Sequence, residues 1–270
     1  MMRLLITNDD GIYATGIISL AKRCYDAGHE VTVIAPDRER SACAHSMTMD
    51  FPLSLKAVEI GDYEGMSAYS LNGTPADCVK IAVSHVLNEK PDVVLSGINN
   101  GSNLGSDIVY SGTVNAALEA CMLGCPAIAV SQAFGIERIE FAEKRALRFW
   151  DSAGLAVQFL DQTDVSKLNG FIYNINFPSA PVNEIKGIKM CVQGICDYDE
   201  AFEKRIDPFG REYYWVSGAL QHNSFNDEQQ TDVKWLRENY VTVTPLRWNQ
   251  TENEVLEREK CKIDSMKLHS

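Results

Sequence analysis

Along the first half of the chain, short apolar runs alternate with stretches whose apolar residues recur at helical spacing. Leu4-Leu5-Ile6 leads into Thr7-Asn8-Asp9-Asp10-Gly11. Ile17, Leu20, Ala21 and Cys24 then predict a helix over about Gly16 to Ala27, and Gly28 supplies its terminating residue. Glu30 to Ala35 reads as a buried strand stopped by Pro36. A strand, a helix and a strand in that order predict a parallel pair joined by a right-handed crossover.

The alternation continues. Residues 36–46 form a polar loop, and Met47 to Leu71 is short and alternating, as in hairpin strands. Thr74 can cap a helix that starts with Pro75, gains from Asp77 in its first turn, and runs to about Asn88. Pro91 to Ser96 is a strand that opens into residues 97–105, and Ser111-Gly112-Thr113 begins a helix ending at Gly124. Pro126 to Ser131 is a further strand, followed by a long helix near Glu137 to Leu160 and a strand over Phe171 to Phe177. From about Gly194 to Phe225 the turn Asp207-Pro208-Phe209-Gly210 and the run Tyr213 to Val216 predict a protruding β-hairpin. Thr231-Asp232 begins a short helix to about Glu238, and Tyr240 to Thr244 is a late strand stopped by proline. The pattern is that of an α/β fold with a doubly wound, mostly parallel sheet. Residues 1–248 read as one domain, and residues 249–270 as a charged tail with a weak helical pattern.

Composition narrows the function. The chain has 270 residues, 45% of them apolar, enough for a large core. Its formal charge of −12 repels duplex nucleic acid and anionic membrane. A phosphate substrate would need local positive charge, and a bound metal is its simplest source. No Cys-x-x-Cys pair occurs among the eight cysteines, which read as reduced small hydrophobes. The opening residues lack a signal-peptide pattern, and no apolar run reaches the roughly 20 residues of a membrane span, so a cytoplasmic protein is expected.

Every polar cluster follows a strand, and open α/β sheets bind ligands at the carboxyl ends of their strands. Asp9 and Asp10 fall there. Adjacent carboxylates repel unless a cation lies between them or one keeps its proton, and hard oxygen ligands suit Mg²⁺, Mn²⁺ or Ca²⁺. Taken singly, an Asp-Asp-Gly turn, a loop serine such as Ser41, asparagine-rich turns and a Ser-Gly-Thr helix cap are ordinary surface features. His45 alone reads as a structural hydrogen-bonder. Together, three strands send Asp9-Asp10, Ser41 and Asn99 to one edge. The helix start Ser111-Gly112-Thr113 adds exposed N–H groups, an anion site beside a hard-metal site. No Walker loop, Gly-x-Ser-x-Gly elbow, Cys/His metal spacing or Gly-x-Gly-x-x-G fingerprint is present.

The motifs Asn8-Asp9-Asp10-Gly11, Pro36 to Ser41, Gly73 to Cys78, Ser96 to Gly105 and Tyr110 to Val114 strongly resemble the SurE survival-protein family. Asn239 to Leu246 is similar to that family's late strand. The resemblance implies a Rossmann-like core and a metal-dependent 5′/3′-nucleotidase acting on nucleoside monophosphates. It also implies one divalent cation per subunit, Mg²⁺ or Mn²⁺, and a homodimer or homotetramer built by exchange of C-terminal segments. Carried across by position, its metal ligands fall on Asp9, Asp10, Ser41 and Asn99.

On that reading Asp9 or Asp10 also serves as general base. Asn103, Ser111, Gly112 and Thr113 hold the phosphate, and His45 is a candidate to protonate the leaving group. Two alternatives stand beside it. One is a covalent aspartyl-phosphate phosphatase, which the adjacent rather than Asp-x-Asp spacing disfavours. The other is a non-enzymatic nucleotide or metal sensor.

Overall fold

A computed structural model of the chain describes residues 1–61, 65–134, 142–196, 202–216 and 230–266. Its elements, in chain order, are β1 (Arg3–Thr7), α1 (Thr15–Asp26), β2 (Glu30–Pro36), β3 (Leu55–Ala57), β4 (Ser67–Leu71), α2 (Pro75–Ile81), β5 (Val93–Asn100), α3 (Gly112–Met122), β6 (Ala127–Gln132), α4 (Ala142–Gln162), β7 (Ile172–Phe177), β8 (Ile188–Met190), β9 (Phe202–Ile206), β10 (Glu212–Val216), α5 (Asp232–Arg237), β11 (Val241–Leu246) and α6 (Asn253–Asp264). The main sheet has the order β3-β4-β2-β1-β5-β6-β7-β11-β8. From β4 to β7 every neighbouring pair is parallel, which is the doubly wound, Rossmann-like arrangement. The chain winds outward from β1 in both directions, so the switch point lies between β1 and β5.

The apolar runs are continuous because helices cover both faces of the sheet. Leu4, Ile6, Val93, Leu95, Ile128 and Val130 pack with α1 and α4, while Leu5, Val94, Ala127 and Ala129 pack with α2 and α3. Strand β5 gains one extra residue between Ser96 and Asn99 relative to β6. A Cβ on Gly97 there would lie 2.2 Å from the Val130 carbonyl oxygen, so only glycine fits this bulge.

Three expectations are modified. The segment before Leu71 does pair as a hairpin, but β4 also joins the main sheet in parallel with β2. Helix α2 keeps the Thr74–Asp77 capping box yet gives way after Ile81 to a wider π turn over Ala82–Val86. The Ser84 hydroxyl donates to the Lys80 carbonyl at 2.6 Å, a local bond that competes with the regular helix ladder. Strand β11 runs through Pro245 to Leu246 instead of stopping before it. Val241 donates to Gly187, and Val243 accepts from Cys191. Pro245 therefore turns its missing N–H to the same side, beyond the end of β8, where the ladder loses nothing.

The expected hairpin is present as the separate antiparallel pair β9–β10. The start of the long helix before residue 142, and residues 197–201 and 217–229 of the excursion, lie outside the described residues. The tail contains α6, which buries no side chain.

Candidate active site

The turn after β1 is closed by its own asparagine. Asn8 Nδ2 donates to the Gly11 carbonyl at 2.9 Å, and Gly11 N–H donates to Asn8 Oδ1 at 3.2 Å. That ring holds Asp9 and Asp10 at the switch point and splays their carboxylates. Asp9, 5% exposed, turns to the start of α3. There Thr113 N–H donates to Oδ2 at 3.0 Å, and the Thr113 hydroxyl donates to Oδ1 at 2.6 Å. Asp10 turns to β5, where Asn100 N–H donates to its Oδ2 at 2.9 Å.

Gly112 makes the approach of Asp9 possible. A Cβ at that position would lie 2.8 Å from Asp9 Oδ2 and from Cys43 Sγ. The N-terminal dipole of α3 then supports the buried charge. Asn99, delivered by the β5 bulge, lies across the same hydroxyl, with Thr113 Oγ1 3.5 Å from Asn99 Oδ1. Its own amide donates to the Gly101 carbonyl at 2.8 Å.

Ser41 reaches this edge through its neighbour: Arg40 N–H donates to the Asp9 carbonyl at 2.7 Å. The Ser41 hydroxyl itself is exposed and donates to Glu39 Oε1 at 2.6 Å. Ser111 caps α3, its hydroxyl oxygen accepting from Val114 N–H at 3.0 Å. Asn103 is buried, and its amide donates to Ser131 Oγ at 2.8 Å. The structure thus gathers Asp9, Asp10, Asn99, Gly112 and Thr113 tightly, with the Ser41, Ser111 and Asn103 segments around them. His45 is turned to a different task. Its Nε2 lies 2.8 Å from Glu119 Oε2, while Lys80 Nζ donates to Glu119 Oε1 at 2.7 Å. His45, through that hydrogen bond, and Lys80 hold the Glu119 carboxyl below its ordinary value against the opposing effect of burial.

Both aspartates have raised carboxyl pKa values. Burial pushes Asp9 up against the opposing bonds from Thr113. Burial, then the Asp9 charge, pushes Asp10 up to about 6, opposed by Asn100 N–H and, more weakly, by Arg145. Among the described residues neither aspartate has an ion-pair partner, and no group of three His, Cys, Asp or Glu side chains gathers to hold a metal. A buried and a half-buried carboxylate that repel each other, beside serine and asparagine oxygens, are a donor set that fits a hard divalent cation.

Sequence reasoning missed Asn100, Glu119, Ser131, Asn174 and Asn176. Glu119 was visible as a lone acid among Ala116, Ala117, Ala120 and Cys121. The two asparagines were visible as polar breaks in the apolar run Ile172 to Phe177.

Comparison with known proteins decides the family. Residues 4–200 match the family model described as survival protein SurE. The chain belongs to the SurE family. It is 44% identical to a protein of Alkaliphilus metalliredigens named 5′-nucleotidase SurE, over 93% of this chain and 94% of that protein. It is also 44% identical to the protein of the same name from Thermosipho africanus, over 95% of this chain and 96% of the relative. The crystal structure of the SurE protein from Aquifex aeolicus superposes with a TM-score of 0.79 at 36% identity, covering 97% of this chain and 99% of that one.

Proposed function

We propose that this SurE-family chain is a phosphoric monoester hydrolase that cleaves nucleoside 5′- and 3′-monophosphates to nucleoside and phosphate with the help of a divalent cation. The observation that carries this reading is the adjacent carboxylate pair at the switch point, Asp9 buried against the amino terminus of α3 and Asp10 half-buried against β5. The relatives named 5′-nucleotidase SurE support the substrate class.

Asp9, Asp10, Ser41 and Asn99 would hold one cation per subunit, Mg²⁺ or Mn²⁺. Such a cation supplies charge neutralisation for the phosphate and a lower pKa for a water molecule. Ser41 reaches it by releasing Glu39. Ser111 keeps its hydroxyl hydrogen for a phosphate oxygen, because its oxygen is already committed to Val114 N–H. Gly112, Thr113 and Asn103 complete the phosphate cradle, Thr113 by releasing Asp9, to which its N–H and hydroxyl both donate, and the α3 dipole favours the phosphate charge. Asp10, more open than Asp9, is placed to accept the proton of the attacking water. Water oxygen bonds to phosphorus, the phosphorus–ester oxygen bond breaks, and the leaving alkoxide takes up the proton that Asp10 accepted from the water. The adjacent rather than Asp-x-Asp spacing of the two aspartates disfavours the aspartyl-phosphate alternative.

Residues 1–248 form the catalytic domain on this reading, and residues 249–270 serve assembly into a homodimer or homotetramer. The support is the exposed apolar surface of the tail: Val255, Leu256 and Ile263 of α6 and Met266 just after it. The charge of −12 disfavours duplex nucleic acid and membrane as partners. All eight cysteines are free, which fits a reducing cytoplasmic setting. The test is phosphate release from a panel of nucleoside 5′- and 3′-monophosphates with Mg²⁺, Mn²⁺ and EDTA. Metal-dependent release is expected, and full activity after exhaustive chelation contradicts the reading.

A further inference from the structure

Strand β7 carries asparagine at 174 and 176, and both side chains are fully buried. Their neighbours Ile175 and Phe177 belong to the core under α1 and α4, so the asparagines face the α3 side. Asn176 closes a two-bond ring with the backbone of Asn103. Asn103 N–H donates to Asn176 Oδ1 at 2.8 Å, and Asn176 Nδ2 donates to the Asn103 carbonyl at 3.0 Å. Asn174 Nδ2 donates to the same carbonyl at 2.8 Å. Ser131 holds the Asn103 side chain. Asn99, Ser131 and Asn176 are also register partners across β5, β6 and β7, one row leading from the metal edge to Asn103.

This polar strip is not an optimum for packing. Asn174 Oδ1 and the hydroxyls of Thr242 and Thr244 on the paired strand β11 are buried without a hydrogen-bond partner. Buried polar atoms left unsatisfied oppose folding. Apolar side chains would avoid that loss, as they do elsewhere on the same face.

We propose that Asn176, aided by Asn174 and Ser131, is a positioning residue that fixes Asn103 for contact with the substrate phosphate. The inference rests on the reading that Asn103 binds phosphate. Rigid backbone attachment at both N–H and C=O leaves the residue no freedom to retreat when the substrate leaves, so the phosphate site stays formed between turnovers.

The test is steady-state kinetics on the full chain with 5′-AMP and saturating Mn²⁺, with inorganic phosphate as competing ligand. Asn176→Asp keeps the shape and the acceptor but sets a carboxylate oxygen against the Asn103 carbonyl. Its KM and phosphate inhibition constant should rise about tenfold or more, the usual scale for losing a supporting partner of a site residue. Its kcat and its Mn²⁺ concentration for half-activation should change far less. Ser131→Ala should move the same constants in the same direction by a smaller factor, and it serves where Asn176→Asp fails to fold. Asn103→Ala separates the two levels. If Asn103→Ala raises KM and neither other variant does, the positioning role is overturned. If Asn103→Ala leaves KM unchanged, the phosphate reading of Asn103 falls and the positioning role with it.

Discussion

The edge around Asp9 treats polar and apolar side chains in the opposite way from the hairpin β9–β10 and the helix α6. At the switch point it is the polar groups that go inside. Asp9, Asn103, Thr113, Asn174 and Asn176 are all buried, held by bonds spanning 71 to 104 residues of sequence. In the hairpin β9–β10 and in α6 the apolar groups are outside. Phe202, Ile206 and Trp215 are 61%, 65% and 59% exposed. Their charged neighbours pair locally, as in Lys204–Glu212 at 2.5 Å and Arg211–Asp207 at 2.8 Å. Exposed ion pairs of this kind add little to stability, because water screens them and two long side chains must be held in place. The first region finds its partners within the chain. The second leaves apolar surface uncovered, which suits a region completed by another subunit.

The contrast can be broken from the inside first. Asp9→Asn and Asp10→Asn each remove one charge while keeping shape, and each should lower phosphate release by at least ~10–100-fold, the scale on which even indirect supports of a metal act. Near-wild-type turnover in either variant would make that aspartate a turn residue.

From the outside, truncation after Arg247 should reduce the mass measured by light scattering while the isolated chain keeps its metal-dependent chemistry. An unchanged mass would mean that α6 does not serve assembly.

A subtler effect concerns pH. In metal-free protein the Asp10 carboxyl is raised to about 6 from 3.8, so the folded chain holds a proton that the unfolded chain has lost. Stability from this group is full below pH ~4 and is lost as pH rises through ~6. Against that background Asp10→Asn should gain ~1–3 kcal/mol over wild type at pH 7 in EDTA. The two should converge near pH 4. Denaturant melts at the two pH values measure the difference, and a constant gap would contradict the burial of Asp10.

Much of this fold was legible. Apolar runs that end in Asn, Asp, Gly and Ser are what parallel strands covered on both faces leave in a sequence, so β1, β2, β5 and β6 and their loops could be placed. The addition of β4 to β2 was not legible, because Ser67–Leu71 is half polar and its pairing is decided at a distance. Pro245 misled because its cost depends on the length of β8. At the site, Asp9 and Asp10 could be placed because they follow β1, whereas Asn99, expected in the loop after Ser96, stands within β5 beyond its bulge. The bond from Thr113 to Asp9 did not, since it depends on how closely Gly112 lets α3 approach. Asn174 and Asn176 stood out as polar residues in a buried strand, but only the fold shows Asn103 between them.

The smallest predicted effect tests whether the inner polar strip costs stability. Thr244→Val removes an unpartnered buried hydroxyl at nearly constant volume and should raise stability by ~1 kcal/mol in chemical denaturation. A clear loss would show that the hydroxyl is satisfied in solution.

The central claim is that Asp9 and Asp10 together hold a divalent cation. The most direct measurement is the thermal melt of wild type, Asp9→Asn and Asp10→Asn as Mn²⁺ is titrated into EDTA-treated protein. A ligand that binds only the folded state raises the melting temperature with concentration. The account predicts a saturable rise in wild type and its loss in both variants. An equal rise in all three would place the cation elsewhere and contradict it.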